Sequence, residues 1–152
     1  MKVLMVCLGN ICRSPMAEGI MRHKLEKHKI KGLVDSAGTA NYHVGENPDD
    51  RAVAKAKKYG INISQLVGRQ FNVNDFDNFD RIYAMDTSNY QNIICLARNE
   101  ADKTKVTLIL EEIYPGQGMS VPDPYYGGDA GFENVYSLLD NACELIAQRL
   151  KQ

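Results

Sequence analysis

Short apolar runs alternate along the chain with segments in which apolar residues recur at helical spacing. A continuous apolar run follows Met1 and Lys2 and ends at Cys7. Such a run predicts a buried parallel strand, because a strand covered on both faces lacks polar alternation. Similar short runs predict three further strands at 33–38, 81–85 and 105–110.

Helical patterns separate these predicted strands. The first helix is predicted to begin at Pro15, with Ser14 as its cap, and to end before Gly32. Its basic run, residues 23–31, is predicted to lie on a solvated face. Two more helices are predicted at about 49–59 and 88–98, and residues 61–79 and 114–131 are predicted to be irregular. The last helix has the clearest apolar stripe, which consists of Phe132, Val135, Tyr136, Leu139, Ala142, Cys143, Ile146 and Leu150.

Strands that alternate with helices favour a Rossmann-like α/β fold. We expect a single three-layer domain over residues 1–152, in which a four-stranded parallel sheet carries helices on both faces. In such sheets ligands bind beyond the carboxyl ends of the strands. The loops after Val6, Gly38, Met85 and Leu110 are therefore expected to share one edge.

Charge and cysteine content narrow the function classes. The chain has 18 Lys and Arg against 19 Asp and Glu, a formal net charge of −1, which argues against a nucleic-acid surface. No apolar run approaches the roughly 20 residues of a membrane span, and the apolar N-terminus is too short for a signal peptide. We expect a cytoplasmic protein with no nucleic-acid or membrane partner. The cysteines and histidines lack metal-ligand spacing, so no metal site is predicted, and Cys95 and Cys143 are interpreted as core residues.

The segment between the first strand and the first helix carries the chemistry. Residues 7–14, Cys-Leu-Gly-Asn-Ile-Cys-Arg-Ser, can present backbone N–H groups and a helix N-terminus to an anion. Gly9 and Asn10 tolerate the left-handed angles that such a loop needs, and Arg13 offers a planar fork to two phosphate oxygens. A free cysteine is only about 3% thiolate at pH 7, so this positive field would favour the nucleophilic form of Cys7.

Residues 7–15 resemble the C-x5-R-S-P signature of the low-molecular-weight protein tyrosine phosphatases. The likeness extends over nearly the whole chain and includes Asp-Ser-Ala-Gly-Thr at 35–39, Pro-Asp at 48–49, Met-Asp at 85–86 and Asp-Pro-Tyr-Tyr-Gly at 123–127. It implies the phosphotyrosine phosphatase I type of fold and a cysteine-dependent enzyme without a cofactor. Its partners would be phosphotyrosine proteins, with a cognate tyrosine kinase as one candidate, and small aryl phosphates.

The resemblance also implies a role for each site residue. Cys7 would attack phosphorus to form a phosphocysteine, and Asp123 would protonate the departing phenol oxygen and later accept a proton from water. Arg13 and the loop amides would hold the phosphoryl oxygens. The residues implied to line the substrate site are Leu8, Gly9, Asn10, Ile11, Cys12, Ser14, Tyr42, Tyr125 and Tyr126.

Several of these residues have more specific implied roles. Asn10 would brace the loop, Ser14 would stabilise the thiolate of Cys7, and Ser36 would join the same hydrogen-bond network. Tyr42 and Tyr125 would form walls around a substrate ring, because stacking adds about 0.5–1.5 kcal/mol to burial. His43 and Tyr126 would lie on the rim.

The sequence leaves three residues with open roles. Cys12 is either a packing residue or, as in some members of the family, the partner of Cys7 in a reversible disulfide. Asp86 is either the ion-pair partner of an arginine or a helix cap. A histidine that often bonds the loop asparagine in this family is missing from residues 64–70, and Gln65 is a candidate replacement.

Other functions have weaker support in the sequence. An arsenate reductase would need further cysteines close together, which Cys95 and Cys143 do not supply. A phosphoarginine phosphatase of the family typically has threonine where this chain has Ile11, whose apolar side chain favours an aryl ester. A catalytically silent phosphotyrosine-binding module would have lost Cys7 or Asp123. A nucleotide switch would carry a glycine-rich phosphate motif, which this chain lacks.

Overall fold

The first apolar run lies in the interior of the sheet in the computed structural model, which describes residues 1–151. The strands are β1 (Lys2–Cys7), β2 (Leu33–Gly38), β3 (Arg81–Ala84) and β4 (Val106–Leu108). They are parallel and lie in the order β2-β1-β3-β4. The predicted four-stranded parallel sheet is confirmed, and Cys7 is in register with Gly38 at its carboxyl edge.

Helices connect the strands and cover the sheet. They are α1 (Arg13–Lys27), α2 (Asp50–Lys58), α3 (Asp75–Asn78), α4 (Thr87–Ile94), α5 (Glu100–Thr104) and α6 (Gly128–Lys151), with a 3₁₀ turn at Ile109–Glu112. Helices α3 and α5 lie where no helix was predicted. The four residues of α3 fall within 61–79 and are too few to show a helical pattern, and the polar residues of α5 form no apolar stripe. Instead, Asn99 caps α5 through the amide of Asp102.

Two apolar cores lie on opposite faces of the sheet, as predicted for a three-layer fold. Alternate side chains of β1, including Val3 and Met5, pack with the apolar sides of α1, α2 and α6. The intervening residues, Leu4 and Val6, pack with Phe76 of α3 and with residues of α4. Since every one of these β1 side chains is buried, β1 is held on both faces.

Several predicted element boundaries are wrong; helix α4, for example, ends at Ile94 rather than at residue 98. Strand β4 ends at Leu108 rather than at residue 110, because a 3₁₀ turn brings both Ile109 and Leu110 into the core that contains α6, whereas successive strand residues point to opposite faces. Helix α1 begins at Arg13, and Ser14 is buried in its first turn instead of capping it. Helix α6 begins at Gly128, ahead of the apolar stripe.

Two predictions about side-chain exposure also fail. Cys95 is exposed and not in the core, because it caps the C-terminus of α4, whereas Cys143 is buried as predicted. Lys24 interrupts the solvated face predicted for the basic run. It is buried against α6, where Asp140 and Glu144 lie 3.1 and 3.3 Å from its Nζ.

Candidate active site

The loop from Cys7 to Arg13, called the phosphate loop below, joins the carboxyl end of β1 directly to α1. Its shape is therefore set by two buried elements. Asn10 has a φ of 58°, the left-handed conformation that this residue type tolerates better than most. That conformation turns the Asn10 amide toward the enclosed Cys7 Sγ, to which it donates a hydrogen bond at 3.3 Å. The loop therefore curls around the thiol as the sequence predicted.

The Cys7 sulfur also contacts Ser14, with 3.0 Å between Sγ and Oγ. The direction of this hydrogen bond follows from its neighbours. Asn10 Oδ1 accepts from the Arg69 amide at 3.1 Å, so its Nδ2 faces the hydroxyl of Ser14 and donates to it at 2.8 Å. Ser14 Oγ accepts from Asn10, so its single hydrogen can go to the Cys7 sulfur at 3.0 Å or to the Ala37 carbonyl at 3.4 Å, and the sulfur is the nearer acceptor. The Ser14 hydroxyl and the Asn10 amide can therefore both donate to the Cys7 sulfur.

A buried carboxylate ends this hydrogen-bond chain. The second Asn10 Nδ2 bond goes to Ser36 Oγ at 3.0 Å, and Ser36 Oγ donates to Glu18 Oε1 at 2.6 Å. Glu18 is only 3% exposed and forms an ion pair with Arg22. Because a carboxylate only accepts hydrogen bonds, it leaves the Ser36 oxygen free to accept from Asn10. Glu18 thus orients the whole chain that leads to Cys7.

Arg13 is held from two sides at the start of α1. Its Nη1 donates to Asp86 Oδ2 at 2.7 Å and to the Val121 carbonyl at 3.0 Å. The side chain is only 4% exposed, so the guanidinium is fixed by these contacts. Asp86 also caps α4, in a reciprocal pair with Asn89. Both interpretations of Asp86 that the sequence left open therefore hold together.

Asp123 lies on the segment between the 3₁₀ turn and α6, and its carboxylate faces the phosphate loop. Its Oδ2 is 4.0 Å from Arg13 Nη2. Its Oδ1 accepts a hydrogen bond from the Tyr125 amide at 3.0 Å. With half of its side chain exposed, Asp123 can exchange a proton with solvent or with a group bound above Cys7.

These residues surround a cavity of about 340 Å³. Its floor is the phosphate loop, and three tyrosines and a histidine stand around its mouth. The complete lining is Cys7, Leu8, Gly9, Ile11, Cys12, Arg13, Tyr42, His43, Asp123, Tyr125 and Tyr126. Of the predicted site residues, Asn10, Ser14 and Ser36 are absent from this lining and instead form the buried network behind the loop.

Cys12 lies in the same cavity as a buried thiol. Burial raises the pKa of Cys12 to about 12, and the nearby negative charge of Asp49 adds to the effect. At neutral pH Cys12 therefore remains protonated and is a weak nucleophile. Both Cys7 and Cys12 are free thiols in this structure.

The partner of the loop asparagine differs from the one suggested by the sequence. The Arg69 main-chain amide donates to Asn10 Oδ1, whereas Gln65 is an exposed residue. The Arg69 side chain is held in turn by Asp35 and Asp75. A main-chain donor leaves no signature of residue type, so neither this contact nor the carbonyl of Val121 could be found from the sequence.

Residues 1–151 contain neither a cluster of metal-ligating side chains nor a helix that could span a membrane. No group of three or more His, Cys, Asp or Glu side chains is arranged to hold a metal ion. No helix in this range is both long enough and apolar enough to cross a bilayer.

The family model of the low molecular weight phosphotyrosine protein phosphatases matches residues 2–152. The low molecular weight phosphotyrosine protein phosphatase of Schizosaccharomyces pombe is 46% identical over 138 residues, which cover 89% of this chain and 87% of the relative. The chain belongs to the low molecular weight phosphotyrosine protein phosphatase family.

Solved structures related to this phosphatase share its fold along the whole chain. A protein tyrosine phosphatase of Entamoeba histolytica, crystallised with Hepes in the active site, has a TM-score of 0.92 and 39% identity, covering 99% of this chain and 96% of its own. The Drosophila arginine phosphatase has the same TM-score with 35% identity, covering 100% and 99%. The fold is therefore common to phosphatases with different named substrates.

Proposed function

We propose that this phosphatase hydrolyses phosphotyrosine in proteins, and small aryl phosphates, through a phosphocysteine on Cys7. The observation that carries the proposal is the position of Cys7 Sγ, which lies among the Ser14 hydroxyl, the Asn10 amide and the loop that ends at Arg13. Asp123 faces the same cavity. Nucleophile, anion cradle and proton donor are thus within one small space.

In the first step the Cys7 thiolate attacks phosphorus while the bond from phosphorus to the phenol oxygen breaks. The bonding electron pair leaves with the phenol oxygen, which takes the proton of Asp123. Arg13 and the loop amides stabilise the equatorial oxygens during the transfer. The products of this step are the free phenol and a phosphocysteine.

In the second step a water molecule attacks the phosphocysteine. Its proton passes to the Asp123 carboxylate, the S–P bond breaks, and the electron pair returns to Cys7 as thiolate. Inorganic phosphate leaves and the enzyme regains its starting protonation. Every proton and electron pair in this cycle is carried by residues of the chain or by water.

The cavity supports a flat aromatic substrate. Tyr42 and Tyr125 can pack against the faces of a phenyl ring, and Ile11 of the phosphate loop adds an apolar surface to the same cavity. A phosphorylated serine is too short to bring its phosphate to Cys7 while its backbone remains outside these walls. We therefore propose specificity for phosphotyrosine.

The decisive experiment compares variants of the two reacting groups on p-nitrophenyl phosphate and on a phosphotyrosine peptide. Cys7→Ser is expected to abolish turnover while retaining phosphate binding, and Asp123→Asn to lower kcat/KM by about 10²–10⁴-fold for the peptide. Cys95→Ser, at the exposed residue that follows α4, is the matched control for removal of a thiol. Full activity of Cys7→Ser would overturn the proposal.

A second candidate substrate is phosphoarginine, because the arginine phosphatase of Drosophila has the same fold over the same length. The apolar Ile11 in the cavity offers no hydroxyl to such a substrate. A panel of phosphotyrosine, phosphoserine and phosphoarginine substrates, with arsenate reduction assayed in parallel, separates these activities. Faster turnover of phosphoarginine than of phosphotyrosine would favour the second candidate.

The proposed chemistry also supports the expected cytoplasmic location. A nucleophilic thiol in an oxidising compartment would be lost to disulfide formation, whereas the cytosol keeps thiols reduced. Phosphotyrosine proteins of that compartment, a cognate tyrosine kinase among them, are the proposed substrates. Dephosphorylation of such a kinase in a purified mixture tests the proposed substrate.

A further inference from the structure

Arg51, in the first turn of α2, contacts both the main chain and the aromatic ring of Tyr125. Its Nη1 donates a hydrogen bond to the Tyr125 carbonyl at 2.6 Å. Its Cζ also lies 4.9 Å from the centre of the Tyr125 ring and 5.0 Å from that of Phe132. One guanidinium therefore fixes a peptide group and covers two rings, at the point where the segment carrying Asp123 passes α2.

Arg51 is itself anchored to the phosphate loop through Asp49. Its Nε and Nη2 each lie 3.0 Å from a different oxygen of the Asp49 carboxylate, a bidentate pair. The amide of Asp49 donates to the Ile11 carbonyl at 2.8 Å. The hydrogen bonds from Arg51 hold the pKa of Asp49 below its usual value, so this carboxylate stays charged. A continuous series of bonds thus runs from Ile11 through Asp49 and Arg51 to Tyr125.

The position of the Tyr125 peptide matters because its amide donates to Asp123 Oδ1. Val121 and Pro124 are buried, and the Val121 amide donates to the Met85 carbonyl, but the residues between and beyond them are weakly held. Asp123, Tyr125 and Tyr126 are all exposed, and two glycines follow them, of which Gly128 has a φ of 65°. A chain with so few buried contacts depends strongly on each fixed hydrogen bond.

We propose that Arg51 is a positioning residue that fixes the acid loop, residues 122–127, over the phosphate loop. This inference rests on the proposed function, since it assigns to Arg51 the placement of the general acid Asp123. Arginine suits the task because its planar fork can hold Asp49 with one edge while another N–H reaches Tyr125. A lysine at this position has one nitrogen and cannot maintain the three hydrogen bonds in these directions.

The kinetic test uses the variants Arg51→Gln and Arg51→Lys. The matched control is Arg98→Gln, because Arg98 is similarly exposed (41% against 44%), forms a bidentate pair with Asp102 and lies over Phe76. Values of kcat/KM are measured for phenyl phosphate, whose leaving group needs a proton, and for p-nitrophenyl phosphate, whose leaving group needs it less. The inhibition constant of inorganic phosphate measures separately how well the phosphate loop binds its anion.

We expect Arg51→Gln to lower kcat/KM for phenyl phosphate by about tenfold, a fraction of the 10²–10⁴ that a general acid supplies. The loss for p-nitrophenyl phosphate should be clearly smaller, inhibition by phosphate should stay within twofold of wild type, and Arg51→Lys should be intermediate. Equal losses on both substrates, no loss, or an effect matched by Arg98→Gln would overturn the proposal.

A measurement independent of activity separates this inference from the proposed function. Hydrogen exchange of the Tyr125 and Gly127 amides, which are bonded within the acid loop, should accelerate in Arg51→Gln and remain unchanged in Arg98→Gln. If the wild-type protein fails to hydrolyse aryl phosphates but this acceleration occurs, the proposed function fails and the loop anchor stands. If wild type is active and exchange does not change, the anchor is wrong and the proposed function stands.

Discussion

The two carboxylate oxygens of Asp86 accept hydrogen bonds from different partners, Arg13 and the N-terminus of α4. Oδ2 accepts from Arg13 Nη1 at 2.7 Å, while Oδ1 accepts from the Asn89 amide at 2.7 Å and caps α4. The guanidinium of the phosphate loop is thereby joined to the end of β3, from which Asp86 projects. One side chain links substrate binding to the stability of α4, and substitution can separate the two effects.

Substitution of Asp86 should affect phosphate binding and stability differently. Asparagine is a good helix cap, so Asp86→Asn should retain the cap while removing the charge that holds Arg13. Asp86→Ala loses both, which should cost about 1 kcal/mol more in the free energy of unfolding. Denaturant unfolding and inhibition by phosphate measure the two effects. Equal stabilities of the two variants would contradict the assigned cap.

Ser14→Ala should slow the alkylation of Cys7 by iodoacetamide at pH 6–7 several-fold. The thiolate loses the hydroxyl that lies 3.0 Å from its sulfur, and a hydrogen bond to a charged group is worth about 1.5–3 kcal/mol. Ser36→Ala, two hydrogen bonds further away, should slow it less. Ser88→Ala at an exposed position of α4 is the control. An alkylation rate that is the same in Ser14→Ala and wild type would rule out the assigned hydrogen-bond direction.

Alkylation should distinguish the two cavity thiols. With the pKa of Cys12 raised to about 12 by burial, iodoacetamide at pH 7 should modify Cys7 and leave Cys12 free. A Cys95→Ser background removes the exposed thiol, and peptide mapping identifies the product. The same mapping after peroxide treatment determines whether Cys7 and Cys12 pair. Modification of Cys12 ahead of Cys7 would contradict the prediction.

The contribution of Glu144 to the free energy of unfolding should be lost as the pH falls from about 5 to 2. A hydrogen bond from Gln148, together with the contacts of Lys24 and His28, lowers the pKa of Glu144 from 4.5 to about 2. Between these values the unfolded chain binds a proton that the folded chain does not, so stability falls as the pH falls. The difference in unfolding free energy between wild type and Glu144→Gln should therefore be full above about pH 5 and shrink toward pH 2.

Denaturant unfolding at several pH values tests this dependence. Glu26→Gln, at an exposed position of α1, controls for the loss of one negative charge. A difference between wild type and Glu144→Gln that stays constant from pH 6 to pH 2 would contradict the assignment.

Gly38→Ala should distort the phosphate loop from behind. A Cβ at this position would lie 2.7 Å from the Leu8 carbonyl oxygen and 3.1 Å from the Gly9 carbonyl carbon. These are main-chain atoms of the cradle and cannot move independently of it. We expect a loss of about 1–3 kcal/mol in unfolding free energy and weaker inhibition by inorganic phosphate. Unchanged phosphate inhibition would show that the loop tolerates the added methyl group.

The sequence was sufficient wherever the site is local. Cys7 and Arg13 lie at the two ends of one strand-to-helix connection, so their proximity follows from the chain itself. Asp123 could be assigned only by resemblance, because its approach to Arg13 depends on how the segment before α6 folds back. The predicted length of β4 was wrong because burial alone does not distinguish a strand from a 3₁₀ turn.

The supporting residues were the hardest to foresee. Glu18 lies on the first helix, where a lone glutamate is ordinarily a solvated residue, and its burial follows from the position of Ser36 on the neighbouring strand. The amide of Arg69 and the carbonyl of Val121 act through the main chain, which is the same for every residue type. Nothing in the sequence indicated the role of Arg51 either. Its contact with the acid loop is made to the main-chain carbonyl of Tyr125, which is 74 residues away along the chain.

The way the two loops attach to the protein has a consequence for cooperativity. The phosphate loop continues from a strand whose side chains are buried on both faces, so it should lose its shape only when the whole molecule unfolds. In the acid loop only Pro124 is buried, so this loop can detach while Val121 keeps its contact with Arg13. In mild denaturant, proton donation to the leaving group should therefore be lost first, while the cradle still binds inorganic phosphate.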